Sequence, residues 1–231
     1  MSTLSVLGFT LSVAAGSTLL ILLPGLLVAW ALSTPHWRGR LVLETLVSLP
    51  LVLPPTAVGL GLLFLVGRRG PIGSFLATLG IEVAFTWKAV VLACAVVSFP
   101  LLVRAIRGAL EEVDPRLVGL ARSLGRTPWQ TFLEVQVPLA WRGLAAGAVL
   151  AFARSLGEFG ATVLVAGNIP GRTQTLALAI FQSVQTGRDR EALVMAALSV
   201  LLAFGCLLGV DVVSRRRERR LSDHQGASGD A

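Results

Sequence analysis

The residues of this chain whose types could do chemistry fall in two places. Arg154 and Glu158 carry opposite charges four positions apart in an otherwise apolar run. On a helix that spacing makes them neighbours. Either they form an internal ion pair that lets both exist away from water, or Arg154 attracts an anion. Ser155 and Thr162 add hydroxyls to the same run, and Thr56 follows Pro54-Pro55 where a helix must bend. A bend there is either a plain kink or a break that exposes backbone groups along a path. The second place is Asp114–Gly143, a polar stretch with an apolar stripe at Leu117, Leu120, Ala121 and Leu124. That pattern suits docking more than catalysis. No phosphate-cradling G-x-x-x-x-G-K-[ST] motif occurs, and the lone Cys94 and Cys206 have no metal spacing. The expectation is no catalytic residue, no metal ligand and no bound cofactor.

The elements that position these residues are written in the composition. Of 231 residues, 54% are apolar and only 14% charged, and the mean hydropathy is +0.77. Soluble domains carry about 25% charged residues. Met1–Pro35 and Ala192–Val210 contain no Asp, Glu, Lys or Arg. The fold class is therefore all-α and polytopic in a membrane, as a single domain over 1–231. The uninterrupted apolar runs exclude a β-barrel, whose strands alternate in polarity. Spanning needs about 20 apolar residues. Five stretches qualify: 6–32, 41–66, 83–103, 144–165 and 192–213, with prolines expected to kink the first two. No basic segment precedes the first, so it reads as a retained helix. Gly157, Gly160 and Ala161 offer a small-residue face for close helix approach. Glu44 and Asp211 are expected to reach the interface, and the tryptophans to anchor there.

Net charge is +7, and 19 of the 20 basic residues are arginine. Thirteen lie on the 33–40 and 104–142 connections and in the tail, against five on the opposite face. That asymmetry puts the C-terminus in the cytoplasm and, with five spans, the N-terminus outside. The excess of charge thus belongs to membrane topology, with no nucleic-acid partner implied. The polar tail, 214–231, is expected to be disordered.

Between Asp114 and Gly143 the signals are local. Asp114-Pro115 is an N-cap followed by Pro at the first helical position. Gly125 falls where a C′ glycine should. Thr127-Pro128 opens a second helix that Pro138 is expected to end. The pair either lies on lipid or docks a cytoplasmic partner, with Trp129 either anchoring at the interface or packing on that partner. On the outer side, 67–82 and 167–190 hold turn clusters, the latter followed by a helix at 175–184 too short to span.

Leu120-Ala121-Arg122-Ser123-Leu124-Gly125, with Val137-Pro138-Leu139 and Gly143, resembles the coupling loop of ABC importer permeases. The chain has Val118-Gly119-Leu120-Ala121 where those permeases have Glu-Ala-Ala. Ser155-Leu156-Gly157-Glu158-Phe159-Gly160-Ala161-Thr162, the run Ala166–Thr175, and the stretches Val52–Gly59 and Phe85–Ile106 are similar to the molybdate permease subunits of such importers. The resemblance covers nearly the whole chain. It implies an inner-membrane homodimer with two cytoplasmic ATPase subunits that use ATP and Mg. It also implies a periplasmic or lipid-anchored oxyanion-binding protein. ATPase coupling would fall to Leu117, Leu120, Ala121, Ser123, Leu124, Gly125 and Pro138. The translocation path would involve Thr56, Arg154, Ser155, Glu158 and Thr162. Sulfate, thiosulfate or tungstate is the alternative cargo, and an autonomous secondary transporter or channel the alternative class.

Overall fold

The computed structural model describes residues 3–34 and 37–215, with side chains described to residue 209. Residues 216–231, which hold most of the expected tail, lie outside the described residues, as does the side chain of Asp211. The described chain is helical throughout, with no strand.

Helix α1 (Thr3–Ser33) runs through Pro24 as one element. The expected second span is instead two helices, α2 (Arg40–Val52) and α3 (Pro55–Val66), meeting at 113°. This corrects the kinked span read from the sequence. Leu53 and Pro54 are both extended, because a residue before proline is pushed out of the helical region. Two consecutive prolines therefore break the helix fully. A short α4 (Pro71–Thr78) follows.

Helix α5 (Trp87–Glu111) starts at the cap Thr86, whose hydroxyl accepts from the Lys88 amide at 3.3 Å. It runs eight residues beyond the expected Val103, so Arg104 and Arg107 belong to a helix and the connection begins only at Glu112. Next come α6 (Pro115–Ser123) and α7 (Pro128–Thr131). A π turn (Phe132–Gln136) then leads directly into α8 (Val137–Leu156). Pro138 does not end the second cytoplasmic helix as expected. The Val137 amide bonds back to the Phe132 carbonyl, one residue further than in an α-helix. That shift of register lets Pro138 sit in the first turn of α8, where its missing N–H is not required.

The fourth span ends at Leu156, nine residues before the expected Val165. Gly157–Phe159 break the chain, and α9 (Gly160–Val165) sets off anew. Helix α10 (Leu176–Gln185) corresponds to the short helix read from the sequence at 175–184, with Thr175 as its cap. The chain closes with α11 (Asp189–Arg215). Among the described residues, four helices are long and apolar enough to span a membrane, and the bent α2–α3 pair makes a fifth if it counts as one.

Helix α5 sits at the centre. Its buried residues Ala89, Val90, Ala93 and Val97 join Val13, Val58, Leu62 and Ala161 in one apolar cluster. Leu102, Val103 and Ile106 join Ile21, Ala29, Phe132 and Ala151 in another. Close approach is set by small residues. A Cβ on Gly147 would lie 2.9 Å from that of Ala105, and one on Gly59 would lie 2.5 Å from the Ala161 carbonyl oxygen. Much of the remaining apolar surface, including Leu41, Leu46 and Val52 on α2, is exposed.

Candidate functional site

The α6–α7 helix pair is assembled from its own sequence. The Asp114 carboxylate accepts from the Arg116 amide at 2.8 Å and opens α6. At the other end Gly125 has φ of 84°, in the left-handed region that favours glycine. Its amide donates to the Arg122 carbonyl at 3.0 Å, and that of Arg126 donates to Ala121 at 3.1 Å. This is a Schellman closure, which satisfies the orphan carbonyls of the helix end. Thr127 and Gln130 then form a reciprocal capping box that opens α7. Arg126 pairs with Glu134 at 3.3 Å across the corner.

The stripe read from the sequence divides here. Ala121 turns inward and is buried, with Val118 half-buried beside it against the α5 cluster. Leu117, Leu120 and Leu124 face outward, Leu124 at 76% exposure. Ser123 is spent on the Gly119 carbonyl at 3.1 Å. Pro138 stands apart from the pair, on α8. Trp129, half-exposed, packs within the chain against Trp30 at 5.4 Å and Phe132 at 5.5 Å.

The intramembrane residues form a second constellation. Glu158 is 2% exposed and lies within the break after α8. One of its oxygens accepts from the Ala161 amide at 2.8 Å, satisfying a free N–H at the start of α9. The other meets Arg154 at 3.0 Å. The Arg154 side chain keeps 34% exposure, so the pair joins a sealed carboxylate to a partly exposed arginine. Gly160 abuts the α2–α3 corner, where a Cβ would lie 2.9 Å from the Pro55 Cβ and 3.4 Å from the Thr56 nitrogen. The Thr56 side is exposed. The break, the ion pair and the corner are thus brought together.

Ser155 and Thr162 point elsewhere. Ser155 is buried at the meeting of three spans. It donates to the Ala151 carbonyl at 3.0 Å, lies within hydrogen-bond reach of the Ser17 hydroxyl at 3.1 Å, and shares a 2.8 Å hydrogen bond with the Ser98 hydroxyl in which either oxygen can donate. Thr162 is fully buried beside Cys94. Sequence reasoning missed Ser17 and Ser98, since single serines in apolar helices carry no spacing signal. It also missed an amide network between the loop before α10 and α10 itself. There Asn168 donates to Gln182 at 3.2 Å, and Gln174 donates to Asn168 at 3.1 Å and also to Gln182. Thr173 staples the same loop by accepting from the Ile169 amide at 3.0 Å. Thr10 of α1 caps α10 through the Leu176 amide at 2.9 Å.

A capped helix pair inserted between two spans, together with a broken fourth span, is the frame against which known proteins compare. The pattern of the family described as the binding-protein-dependent transport system inner membrane component matches residues 8–223. The chain belongs to that family. It is a multi-pass membrane permease, with the helices to cross a bilayer. It is 41% identical over 220 residues to the molybdenum transport system permease protein ModB of Haemophilus influenzae, covering 94% of this chain and 96% of that one. To ModB of Escherichia coli K12 it is 46% identical over 213 residues, covering 91% and 93%. The sulfate transport system permease protein CysT of the same organism is 37% identical over 200 residues, covering 87% of this permease and 72% of CysT. Among solved structures, the inward-facing MetNI methionine ABC transporter matches with a TM-score of 0.66 at 19% identity. That match covers 89% of this permease and 93% of the MetNI chain. At that identity the match speaks to the fold.

Proposed function

We propose that this permease is the membrane-spanning subunit of an ATP-driven molybdate importer. The likeness to two ModB proteins at above 40% identity over nearly the full length of both chains carries the cargo. The uncovered Leu117, Leu120 and Leu124 face supports the drive. Three leucines presented to one side by a helix locked at both ends form a rigid apolar knob for a partner groove. The occupant is a cytoplasmic ATPase subunit that uses ATP and Mg, one for each copy of a permease homodimer. Gly125 holds the angle of the knob, and Ala121 and Ser123 fix its underside. Pro138 starts the span that carries the motion onward.

The cargo reaches the outer face from a periplasmic or lipid-anchored binding protein. The N-terminus lies outside and the C-terminus inside, in the cell's inner membrane. Movement is by alternating access, with no bond chemistry in this chain. The path runs past the α2–α3 corner, where Thr56 and the partly exposed Arg154 supply a hydroxyl and a cation to a dianion. Glu158 orients Arg154 and keeps its charge from trapping the anion. Ser155 and Thr162 hold the helices behind it.

The test is uptake in proteoliposomes containing the permease, its ATPase subunit and its binding protein. Molybdate-stimulated ATP hydrolysis with molybdate accumulation is expected. Stimulation by sulfate alone would keep the machine and overturn the cargo, an outcome for which the CysT likeness gives a reason. Transport with no ATPase attached would replace the machine by an autonomous transporter.

A further inference from the structure

Helix α2 is poorly held by apolar packing. None of its residues is buried, and only Leu43 and Val47 lean on the α5 cluster. At one end it breaks from α3 by 113°. Helix α3 is fixed, because Gly59 lies against the Ala161 backbone and Pro55 against Gly160. So α2 is an arm hinged at Leu53-Pro54, and something other than a core keeps it against the bundle.

That something is a polar zipper. Arg40, Glu44 and Ser48 recur every four residues along one face of α2. They meet Glu111, Arg107 and Arg104 on α5, in antiparallel order. Arg107 pairs with Glu44 at 2.7 Å and with Glu111 of its own helix at 2.7 Å. Arg104 donates to the Ser48 hydroxyl at 3.2 Å, and Arg40 approaches Glu111 at 4.0 Å. Arg107, more buried than Arg40, Arg104, Glu44 or Glu111, bridges both carboxylates. The α5 end of the zipper lies directly above the knob. Glu111 is the last residue of α5, Asp114 caps α6, and Val113 between them is packed into the core.

We infer that Arg107 and Glu44 are positioning residues that transmit motion of the coupling helix α6 to the hinged arm α2. The chain from α6 to α5 is continuous backbone, whereas α5 to α2 crosses only this zipper and two leaning apolar side chains. A displacement of α6 therefore reaches the α2–α3 corner in proportion to how firmly the zipper is closed. Arg107 is suited to the task because its planar fork holds two carboxylates at once. The inference rests on the importer reading above, since it presupposes a partner that moves α6.

The test uses the assembled transporter in proteoliposomes, reading molybdate uptake per ATP hydrolysed. In Glu44→Gln that ratio is expected to fall about threefold to tenfold, with ATP hydrolysis continuing and the complex eluting intact. The exchanged pair Glu44→Arg with Arg107→Glu restores opposite charges, with Arg at 44 facing both carboxylates on α5. It is expected to regain at least half of the lost coupling. A side chain that merely stabilised the fold would lower assembled protein and both rates together, leaving the ratio unchanged, and that result overturns the inference. So does full coupling in Glu44→Gln, or an exchanged pair no better coupled than Arg107→Glu alone. If the wild-type assembly shows no ATP-driven uptake, the importer reading itself falls and takes the zipper's role with it. A wild type that transports beside an unaffected Glu44→Gln sinks the zipper alone.

Discussion

The α6–α7 helix pair and the intramembrane break are both interruptions of helix, built by opposite means. Between α6 and α7 the turn is closed by neighbours in sequence: Asp114, the Gly125 conformation and the Thr127–Gln130 box. Its outward leucines touch little of the chain. Between α8 and α9 the break is closed by distant partners. Glu158 is sealed from solvent, Gly160 abuts Pro55, and Ser155 is bonded to α1 and α5. A turn specified locally can present a face to a partner without depending on it. A break specified by packing can hold charge inside a membrane only while every neighbour stays in place.

The sharpest way to break this contrast is at Glu158. Glu158→Ala removes the counter-charge of Arg154 and the acceptor for the Ala161 amide together. An uncompensated charge in the interior costs about 3 kcal/mol, part of which the partial exposure of Arg154 recovers. Thermal unfolding of the purified permease in detergent should register it as the largest loss of these variants. Glu158→Gln keeps the hydrogen bond to the amide and should lose less. Equal stability of Glu158→Ala and wild type would show that the pair is not structural.

Packing gives the next step down. Gly59→Ala would set a methyl 2.5 Å from the Ala161 carbonyl oxygen, with backbone that cannot move aside alone. Overpacking of that kind costs about 2 kcal/mol. Gly61, two residues on in the same helix, has nothing within 4 Å. Gly61→Ala should be neutral or stabilise by up to about 0.5 kcal/mol, since alanine is the better helix former. The two melting curves, run side by side, test whether α3 is held by close approach to α9.

Smaller again is Gly125→Ala. No atom lies within 4 Å of the added methyl, so the cost is that of the left-handed conformation alone, about 1 kcal/mol. It should appear as a modest fall in melting temperature. Co-purification of the ATPase subunit should fall further than stability does, because the knob's angle changes. A loss of stability with undiminished ATPase binding would detach the turn from docking.

The same contrast explains what was legible in the sequence. Asp114, Gly125, Thr127 and the leucine stripe are local signals, and each takes the place that its type predicts. The spans are legible as apolar runs, but their ends are not. Pro138 looked like a stop, yet the π turn before it re-registers the hydrogen bonds. Pro54-Pro55 looked like a kink, yet two prolines with no intervening helical residue make a full break. The Arg154–Glu158 pair follows from spacing, although Glu158 lies beyond the end of the helix that was to carry it. Ser17, Ser98 and the α2–α5 zipper depend on which helices meet, and a single sequence does not encode that in any local pattern. The inward turn of Ala121 belongs to the same class, because it depends on where α5 ends.

The smallest effect on stability should be at the knob itself. Leu120 and Leu124 are exposed, and substitution of exposed residues without tertiary partners changes stability by less than about 0.5 kcal/mol. Leu120→Ser with Leu124→Ser should therefore melt with the wild type, or slightly below it for the loss of helix propensity at 120. Binding of the ATPase subunit should respond in the opposite way. Two leucines that become buried only in the complex each contribute on the order of 2 kcal/mol to it. Losing both should weaken association by more than about a hundredfold, by titration of the purified ATPase subunit onto the permease in nanodiscs. The variant thus inverts the behaviour of Glu158→Ala, whose damage is to the fold first. If the doubly substituted knob instead unfolds early and binds normally, the leucines serve the chain's own packing, and the two interruptions are built alike.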